Sequence, residues 1–349
     1  MKRRMLTILL LFCVLAALCG CGAEKAASRT VFAMDTVMNL TVYGADKATL
    51  DAAQAKLEGL ERLLDRTEEG SEIYALNHGG SLENEEARAL LDTALAISAA
   101  TNGAFDPTIA PVMDAWGFTT DAFRVPTEAE LSALLESVDA SRLSPGFTTL
   151  PKGMALDLGG IAKGYAGSVL RGQLRDAGIT SAVIDLGGDV FVLGKKPPEG
   201  LFGKDADWRI AVKDPANPAE FLGVVALSDS FVVTSGVYER NFEENGTLYH
   251  HIIDPATGRP VENGLVSVSV ICGAEYGPWA DALSTACFVL GVEDSLALRE
   301  ELRGTVPFEL IMVTEDLSAA YEADVLYTDG LEECFTPAKE GNHRYANVG

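Results

Sequence analysis

Two copies of the tetrapeptide Asp-Leu-Gly-Gly, at 157–160 and 185–188, place the strongest constraint on how this chain folds. The first stands in "MALDLGGIAKGYAG", between an apolar strand and a helix predicted to begin at about Ile161. Paired glycines let a backbone approach phosphate oxygens, and the N-terminus of a following helix favours an anion. A structural turn fits equally well, because neither the P-loop spacing nor the dinucleotide-binding spacing is present. We interpret the second copy, in "VIDLGGDVFVLG", as architectural support for the first.

The N-terminus carries the features of an export signal. Residues 2–4 are basic, residues 5–19 are almost wholly apolar, and the run closes with Leu-Cys-Gly-Cys at 18–21. The apolar run is shorter than the roughly twenty residues of a spanning helix. We therefore expect residues 1–20 to be a lipoprotein signal, cleaved before a lipidated Cys21, and residues 21–30 to be a tether. An uncleaved signal or a plain membrane anchor is the alternative. A lipid anchor places the protein on the extracytoplasmic face of the cell membrane.

The acidic composition argues against nucleic acid as a partner. Loss of residues 1–20 changes the formal charge from −24 to −27, which repels a phosphate backbone. A polyphosphate ligand therefore requires a cation or backbone amides aimed at it. The remaining cysteines, Cys272, Cys287 and Cys334, stand in apolar surroundings and are expected to be small buried hydrophobes, not a disulfide framework.

The pattern of apolar residues predicts an α+β fold with mixed sheets and flanking helices. Helices are predicted at 46–66, 83–101, 162–177 and 281–303, with a further one after Pro126. Strands are predicted in the segment that starts at Thr30 and at 208–213, 222–227 and 231–234. Because strands and helices alternate irregularly, a doubly wound parallel sheet is not expected. The last stretch, 330–349, is polar and is expected to fray.

A candidate metal site lies in "GPWADALSTACFVLG". Asp281 and Thr285 are four residues apart, so on a helix they share one face. A carboxylate and a hydroxyl, joined by a backbone carbonyl and waters, suit the oxygen preference of Mg²⁺. An N-capping Asp281 beside an ordinary threonine is the alternative.

A candidate general base lies in "YHHIIDPATGRP". His250 and His251 are neighbours, so in a strand one enters a cleft while the other faces solvent. Histidine titrates near neutrality and commonly serves as a base. A packed histidine at a strand end fits this segment equally well.

Taken in order, seven segments resemble the FAD:protein FMN transferases, the ApbE-type lipoproteins. The segments are "FAMDTVM" at 32–38, "SEIYALN" at 71–77, "GAFDPTIAPVMDAWGF" at 103–118, "DLGGIAKGYA" at 157–166, "VIDLGGDVFVLG" at 183–194, "HHIIDPATGRP" at 250–260 and "ADALSTACFVLG" at 280–291. The resemblance covers roughly residues 30–325 and implies a catalytic domain at 31–329 with a central FAD and Mg²⁺ cleft.

The resemblance also implies a reaction and a set of site residues. FAD is the donor, Mg²⁺ the cofactor, and a Thr or Ser hydroxyl of an exported flavin-acceptor protein, such as a domain of a membrane redox complex, receives FMN as AMP leaves. His251 is implied as the base, and Asp281, Thr285 and the Gly160 carbonyl as metal ligands. The implied FAD contacts are Met34, Ala104, Phe105, Asp106, Asp157, Lys163 and the backbone near Ile252.

One departure from the family pattern and two rival functions stay open. Many relatives carry an aromatic residue near the position of Thr67, which could stack on the flavin or adenine, and Tyr74 is the possible substitute. The first rival is a metal-dependent FAD pyrophosphatase, in which water replaces the acceptor hydroxyl and yields FMN and AMP. The second is a lipoprotein that binds FAD without chemistry, for which a base beside a metal would be superfluous.

Overall fold

The computed structural model describes residues 25–349 except 121, 199–202, 218, 319, 340 and 342. Its strands are β1 Ala26–Ala33, β2 Thr36–Tyr43, β3 Ala182–Asp185, β4 Val190–Leu193, β5 Trp208–Lys213, β6 Phe221–Leu227, β7 Ser230–Gly236, β8 Asn241–Glu244, β9 Thr247–His250, β10 Ile253–Asp254, β11 Arg259–Pro260, β12 Leu265–Gly273, β13 Phe308–Ser318, β14 Ala323–Tyr327, β15 Phe335–Pro337 and β16 Tyr345–Asn347. The helices are α1 Lys47–Leu64, α2 Glu72–Asn77, α3 Glu85–Ala100, α4 Ala110–Trp116, α5 Glu128–Leu135, α6 Ala162–Asp176 and α7 Gly277–Leu302. Short 3₁₀ helices lie at Ala140–Arg142 and Asp329–Leu331.

A nine-stranded sheet forms the centre of the molecule, in the order β1-β2-β3-β4-β7-β12-β13-β14-β16. Its neighbouring strands are antiparallel except β14 and β16, which are parallel. Helices α1, α6 and α7 pack on one face, and the small sheet β15-β6-β5 packs on the other. In β12, Val268 and Val270 face the helices while Ile271 faces the small sheet, as the two-residue period of a strand requires. This arrangement confirms the predicted α+β fold with mixed sheets.

Local signals explain why the long helices form where the sequence predicts them. Asp46 caps α1 by accepting the amide of Thr49 at 2.8 Å, and Asn84 caps α3 by accepting the amide of Ala87 at 3.0 Å. Both helices bury apolar residues at helical spacing; in α1 these are Leu50, Ala53, Leu57, Leu60 and Leu64. Thr127 caps α5 in the same way, through the amide of Glu130. The five predicted helices are therefore confirmed, with ends that differ by a few residues.

Helices α6 and α7 cross at two glycines that leave no room for a side chain. A Cβ added to Gly164 would overlap the carbonyl oxygen of Gly277, which is backbone and cannot swing away. The close crossing brings the N-terminal half of α7, with Asp281, against the first turn of α6. It therefore sets the position of the candidate metal site relative to the first glycine loop.

We expect Gly164→Ala to lower the free energy of unfolding by about 3 kcal/mol or more, because overlap with backbone forces the two helices apart. Gly172, in the same helix, has open space around its Cα, so Gly172→Ala should be neutral or stabilise by about 0.5–1 kcal/mol. Urea unfolding followed by circular dichroism measures both. Equal stability of the two variants would contradict the tight crossing.

Both ends of the expected catalytic domain require correction. The tether predicted at 21–30 ends earlier, because β1 begins at Ala26 and pairs with β2 along its whole length. The tail at 330–349, expected to fray, contains β15, which pairs with β6, and β16, which pairs with β14. Phe335 and Val348 are buried there, so apolar burial and strand pairing offset the polar composition.

Several sequence predictions concern residues outside the described part of the chain. The signal at 1–20, the lipidation of Cys21 and the start of the tether, residues 21–24, are among them. In the described ranges, no helix is long and apolar enough to cross a membrane. Cys272 and Cys287 are buried as expected, whereas Cys334 is half-buried.

Candidate functional site

A cavity of about 930 Å³ lies where the hairpin β1–β2, the first turn of α6 and the N-terminal half of α7 meet the sheet. Its walls come from segments that are far apart in sequence: 34–36, 61–67, 104–113, 157–163, 183–190, 209–213, 232–240, 251–255 and 281–285. The volume is in the upper range of small-molecule and cofactor sites. Because so many loops converge on it, this cavity is the candidate active site.

All eleven residues to which the sequence assigns a role in catalysis, FAD binding or metal binding line this one cavity. They are Met34, Ala104, Phe105, Asp106, Asp157, Gly160, Lys163, His251, Ile252, Asp281 and Thr285. The fold thus brings together segments separated by up to 251 residues, from Met34 to Thr285. Their individual roles stay predictions, but their juxtaposition is a property of the structure.

The first glycine loop is built for close approach to Thr285. The carboxylate of Asp157 accepts the amide of Gly159 at 2.8 Å, which holds the turn. A Cβ on Gly160 would lie 3.3 Å from Cε2 of Phe105 and 3.5 Å from Oγ1 of Thr285, so a side chain there would fill the gap between them. Glycine keeps this space open for a ligand or an ion.

Asp281 is a buried carboxylate that a bound cation would stabilise. It is 4% exposed, and its Oδ2 accepts the amide of Gly164 at 2.8 Å. Burial, followed by repulsion from Asp189, raises the pKa of Asp281 to about 7. Asp281 lies inside α7, whose first residue is Gly277, so the alternative of an N-capping aspartate is wrong.

The donor set around Asp281 fits Mg²⁺ better than a soft metal. Thr285 lies one turn further along α7, and Gly160 stands across from its hydroxyl. Among the residues that the structure describes, no group of three or more His, Cys, Asp or Glu side chains could hold a metal. Mg²⁺ in substrate sites commonly has one or two carboxylates, with phosphates and waters supplying the other oxygens. Asp281, Thr285 and the Gly160 carbonyl match that pattern.

Lys163 extends from the first turn of α6 to a carboxylate that the sequence did not single out. Its Nζ is 2.7 Å from Oδ2 of Asp189, which is 2% exposed. Burial opposes the charge of the ammonium, but attraction to Asp189, Asp281 and Glu239 outweighs burial and raises the pKa of Lys163. Lys163 therefore stays positively charged in the cavity.

Asp189 corrects our interpretation of the second Asp-Leu-Gly-Gly copy as purely architectural. Gly187, Gly188 and Asp189 line the cavity, and the amide of Gly188 donates to the carboxylate of Asp185 at 2.8 Å. The second loop is thus a wall of the site as well as a support. The repetition of the tetrapeptide, followed directly by an acidic residue, was the signal that could have revealed it.

His251 is held in one orientation by the backbone. Its Nδ1 lies 3.1 Å from the carbonyl oxygen of Arg240, which can only accept, so Nδ1 carries the proton in the neutral ring. Nε2 is then the acceptor nitrogen, as a general base requires. Burial, which outweighs that hydrogen bond, lowers the pKa of His251 to about 4, so the imidazole is neutral at pH 7.

His250 is not the solvated partner that strand alternation predicted. It is 7% exposed, its Nε2 is 3.0 Å from the carbonyl of Val261, and its ring meets Phe288 edge to face. Burial lowers its pKa. Both faces of the strand end are covered by protein, so the expectation of solvation was wrong and His250 is a packed structural histidine.

An arginine that the sequence gave no reason to select organises the other side of the cavity. Arg66 donates to Asp157 at 2.9 Å and to Asp114 at 2.7 Å, and it also bonds the hydroxyl of Thr119. The Asp157 carboxylate is therefore neutralised inside the protein. Its partner lies 91 residues away, so no local pattern marks Arg66.

Three predicted FAD contacts are partly engaged by the protein itself. The Asp106 carboxylate accepts from the amide and hydroxyl of Thr108 and from the amide of Ala140 at 2.9 Å, so it holds the loop in place. The backbone of Ile252 donates to His250 and accepts from Val261. Met34 has φ 51°, and its amide donates to Glu61 at 2.7 Å. These residues shape the cavity wall more than they offer free polar groups.

The aromatic substitute suggested for Thr67 is not found. Thr67 lines the cavity, but Tyr74 is absent from its walls and stacks on His78 with ring centroids 3.9 Å apart. Phe105 and Tyr238 are the aromatic side chains that line the cavity.

Comparison with known proteins shows which family the chain resembles and supports the fold. Residues 34–308 match the model of the ApbE family. The chain is 34% identical over 319 residues to the FAD:protein FMN transferase of Treponema pallidum, covering 84% of this chain and 88% of that protein. It is 30% identical over 318 residues to the FAD:protein FMN transferase of Klebsiella pneumoniae, covering 88% and 93%.

Solved structures agree with these sequence matches. The ApbE protein of Thermotoga maritima superposes with a TM-score of 0.74 at 31% identity, covering 83% of this chain and 95% of that one. The apo form of the flavinyl transferase ApbE of Pseudomonas stutzeri gives a TM-score of 0.72 at 28% identity, covering 85% and 93%.

Proposed function

Because the chain belongs to the ApbE family, we propose that it is an FAD:protein FMN transferase which uses Mg²⁺ to move FMN from FAD to a Thr or Ser hydroxyl of an exported protein, releasing AMP. The observation that carries the proposal is a juxtaposition. The acceptor nitrogen of a neutral, oriented His251 and the oxygen donors of Asp281 and Thr285 line the same 930 Å³ cavity.

His251 is suited to the proton transfer that the reaction needs. As the acceptor oxygen forms its bond to the FMN phosphorus, the proton of the hydroxyl passes to Nε2 of His251, and the bond from that phosphorus to the AMP oxygen breaks. The carbonyl of Arg240 keeps Nδ1 protonated and so keeps Nε2 available. Positioning by the carbonyl removes the need to select a tautomer during the reaction.

The charges on the pyrophosphate are met by this chain's own groups and by the metal. Asp281, Thr285 and the Gly160 carbonyl would hold Mg²⁺, which supplies charge neutralisation of the phosphates when bound. Lys163 adds a fixed positive charge in the first turn of α6, whose N-terminus itself favours an anion. Arg66 and Asp157 then border the remainder of the donor.

The same proposal includes the location of the protein. The signal at 1–20 and a lipid on Cys21 would anchor the domain to the extracytoplasmic face of the cell membrane, where it would meet exported acceptors. The acidic charge supports the expectation that nucleic acid is not a partner.

Incubation of the soluble form, starting after Cys21, with FAD, Mg²⁺ and a flavin-acceptor domain from the same organism tests the proposal. We expect intact mass spectrometry to find an acceptor heavier by one FMN, with AMP released in equal amount and no product in the presence of a chelator. Free FMN and AMP without an adduct on any acceptor tried would support the pyrophosphatase instead. FAD bound and unchanged would support the carrier.

A further inference from the structure

The tip of the β1–β2 hairpin exposes two large apolar side chains that contribute nothing to the core. Phe32 is 69% exposed and Val37 is 52% exposed. They are register partners across the two strands, so they lie side by side on one face of the hairpin. Their neighbours Val31, Ala33 and Met38 point to the opposite face and are buried. The pair stabilises the hairpin by its cross-strand contact, and its outer surface is left free for a partner.

The exposed pair adjoins a wall of the cavity. The turn between Phe32 and Val37 consists of residues 33–36, of which Met34, Asp35 and Thr36 line the cavity. Asp35 also lies 3.9 Å from the guanidinium of Arg240, whose carbonyl orients His251. A protein bound to the pair would therefore lie one hairpin turn away from the groups that orient the base.

A second hairpin extends from the same edge of the cavity. Strands β8 and β9 join Arg240 to His251, and the amide of His251 donates to the carbonyl of Arg240 at 3.0 Å. This hairpin exposes Leu248, at 53%. Of the five large hydrophobic residues with the greatest exposure in the described part of the chain, three lie on these two hairpins.

We propose that Phe32 and Val37 form a docking surface for the protein that accepts FMN; this inference rests on the proposed transfer. The turn of this hairpin lies 3.9 Å from Arg240, whose carbonyl orients His251, so an acceptor whose hydroxyl meets His251 would pass close to the pair. Contiguous apolar residues exposed beside a reaction site fit a protein contact. A small apolar pair gives a transient contact, which suits a catalyst that must release its product.

Steady-state kinetics of Phe32→Ser/Val37→Ser test the docking surface with the full chain in mild detergent. The probe is a folded FMN-acceptor domain, compared with a short peptide that carries the same acceptor threonine. We expect the KM for the folded domain to rise about tenfold while kcat, the KM for FAD and the rate with the peptide change less than twofold. Leu317→Ser, at another exposed apolar position on β13, is the matched control and should behave as wild type.

Each alternative outcome has one meaning. If the wild-type chain transfers FMN and the double variant has an unchanged KM for the folded domain, the docking surface is overturned and the proposed function stands. An effect seen only on vesicles of phosphatidylglycerol and phosphatidylcholine, and not in detergent, would assign the pair to the membrane and reject an acceptor contact. A wild-type chain that modifies no acceptor would refute the proposed function and this inference together.

Discussion

Replacement of His251 by alanine is expected to lower the rate of FMN transfer by about 10²–10⁴-fold, the range that a positioned general base contributes. The side chain offers Nε2 to the cavity, and among the described residues its one hydrogen bond joins Nδ1 to the carbonyl of Arg240. FAD affinity should therefore change little. Single-turnover transfer measured by acceptor mass, beside FAD binding measured by calorimetry, separates the two effects.

His250→Asn is the matched control for His251. His250 is buried against Phe288 and bonded to the carbonyl of Val261, and it does not line the cavity. We expect this variant to lower Tm by a few degrees and to keep most of the transfer rate. If His250→Asn abolished transfer while His251→Ala did not, the assignment of the base would be reversed.

The pH dependence of the reaction gives a second test of His251. Its folded-state pKa is lowered to about 4, below the ordinary value of 6.5, so the neutral base persists until the pH falls through about 4. With saturating Mg²⁺, we expect protonation of His251 to cause no loss of kcat/KM between pH 7 and about 5. A loss centred near pH 6.5 that disappears with the residue would show that the ring titrates as if in water.

The second large effect is expected from Asp281→Asn, which should lower kcat/KM by about 10²–10³-fold at limiting Mg²⁺, since several kcal/mol of charge stabilisation depend on the metal. The amide oxygen of asparagine can still accept the amide of Gly164, so the helix crossing is preserved. Titration with Mn²⁺, followed by electron paramagnetic resonance, measures metal affinity independently of activity. Thr285→Val should have a smaller effect in the same direction.

Stability without metal provides a readout of Asp281 that catalysis does not influence. A carboxyl whose folded pKa is raised to about 7 destabilises the folded state above its unfolded pKa, so removing its charge relieves that penalty at pH 8. Asp281→Asn should therefore raise Tm in the absence of metal and lose the increase in Tm that Mg²⁺ produces in the wild type. Asp294→Asn, an exposed position in the same helix, should show neither change. A lower metal-free Tm in Asp281→Asn would contradict this account.

The helices and the fold class could be predicted from the sequence because their causes are local. The caps at Asp46, Asn84 and Thr127, and the apolar face of α1, act over a few residues and are visible in the letters themselves. The pair Asp281 and Thr285 is also local, since helical geometry alone places both on one face. The family motifs are also short local stretches of sequence, so the resemblance could identify residues that line the cavity.

Most of the corrections concern partners that are distant in sequence. Asp189 pairs with Lys163, and Arg66 pairs with Asp157 across 91 residues. His250 is buried because Phe288 and Val261 cover it, and the C-terminal strands are ordered because β6 and β14 pair with them. Burial and ion pairing depend on which surfaces meet, and no local spacing specifies that.

The sequence by itself determined the helices, the mixed fold class, the family motifs and the residue types available for acid–base and metal chemistry. Only the tertiary structure decided that eleven of those residues share one cavity, that Nδ1 of His251 is bound by a carbonyl, and that Phe32 and Val37 remain exposed beside that cavity. The physical reason is the range of the interactions. Capping and helical periodicity act between neighbouring residues. Desolvation, tautomer choice and surface exposure follow instead from the packing of segments that are far apart in the sequence.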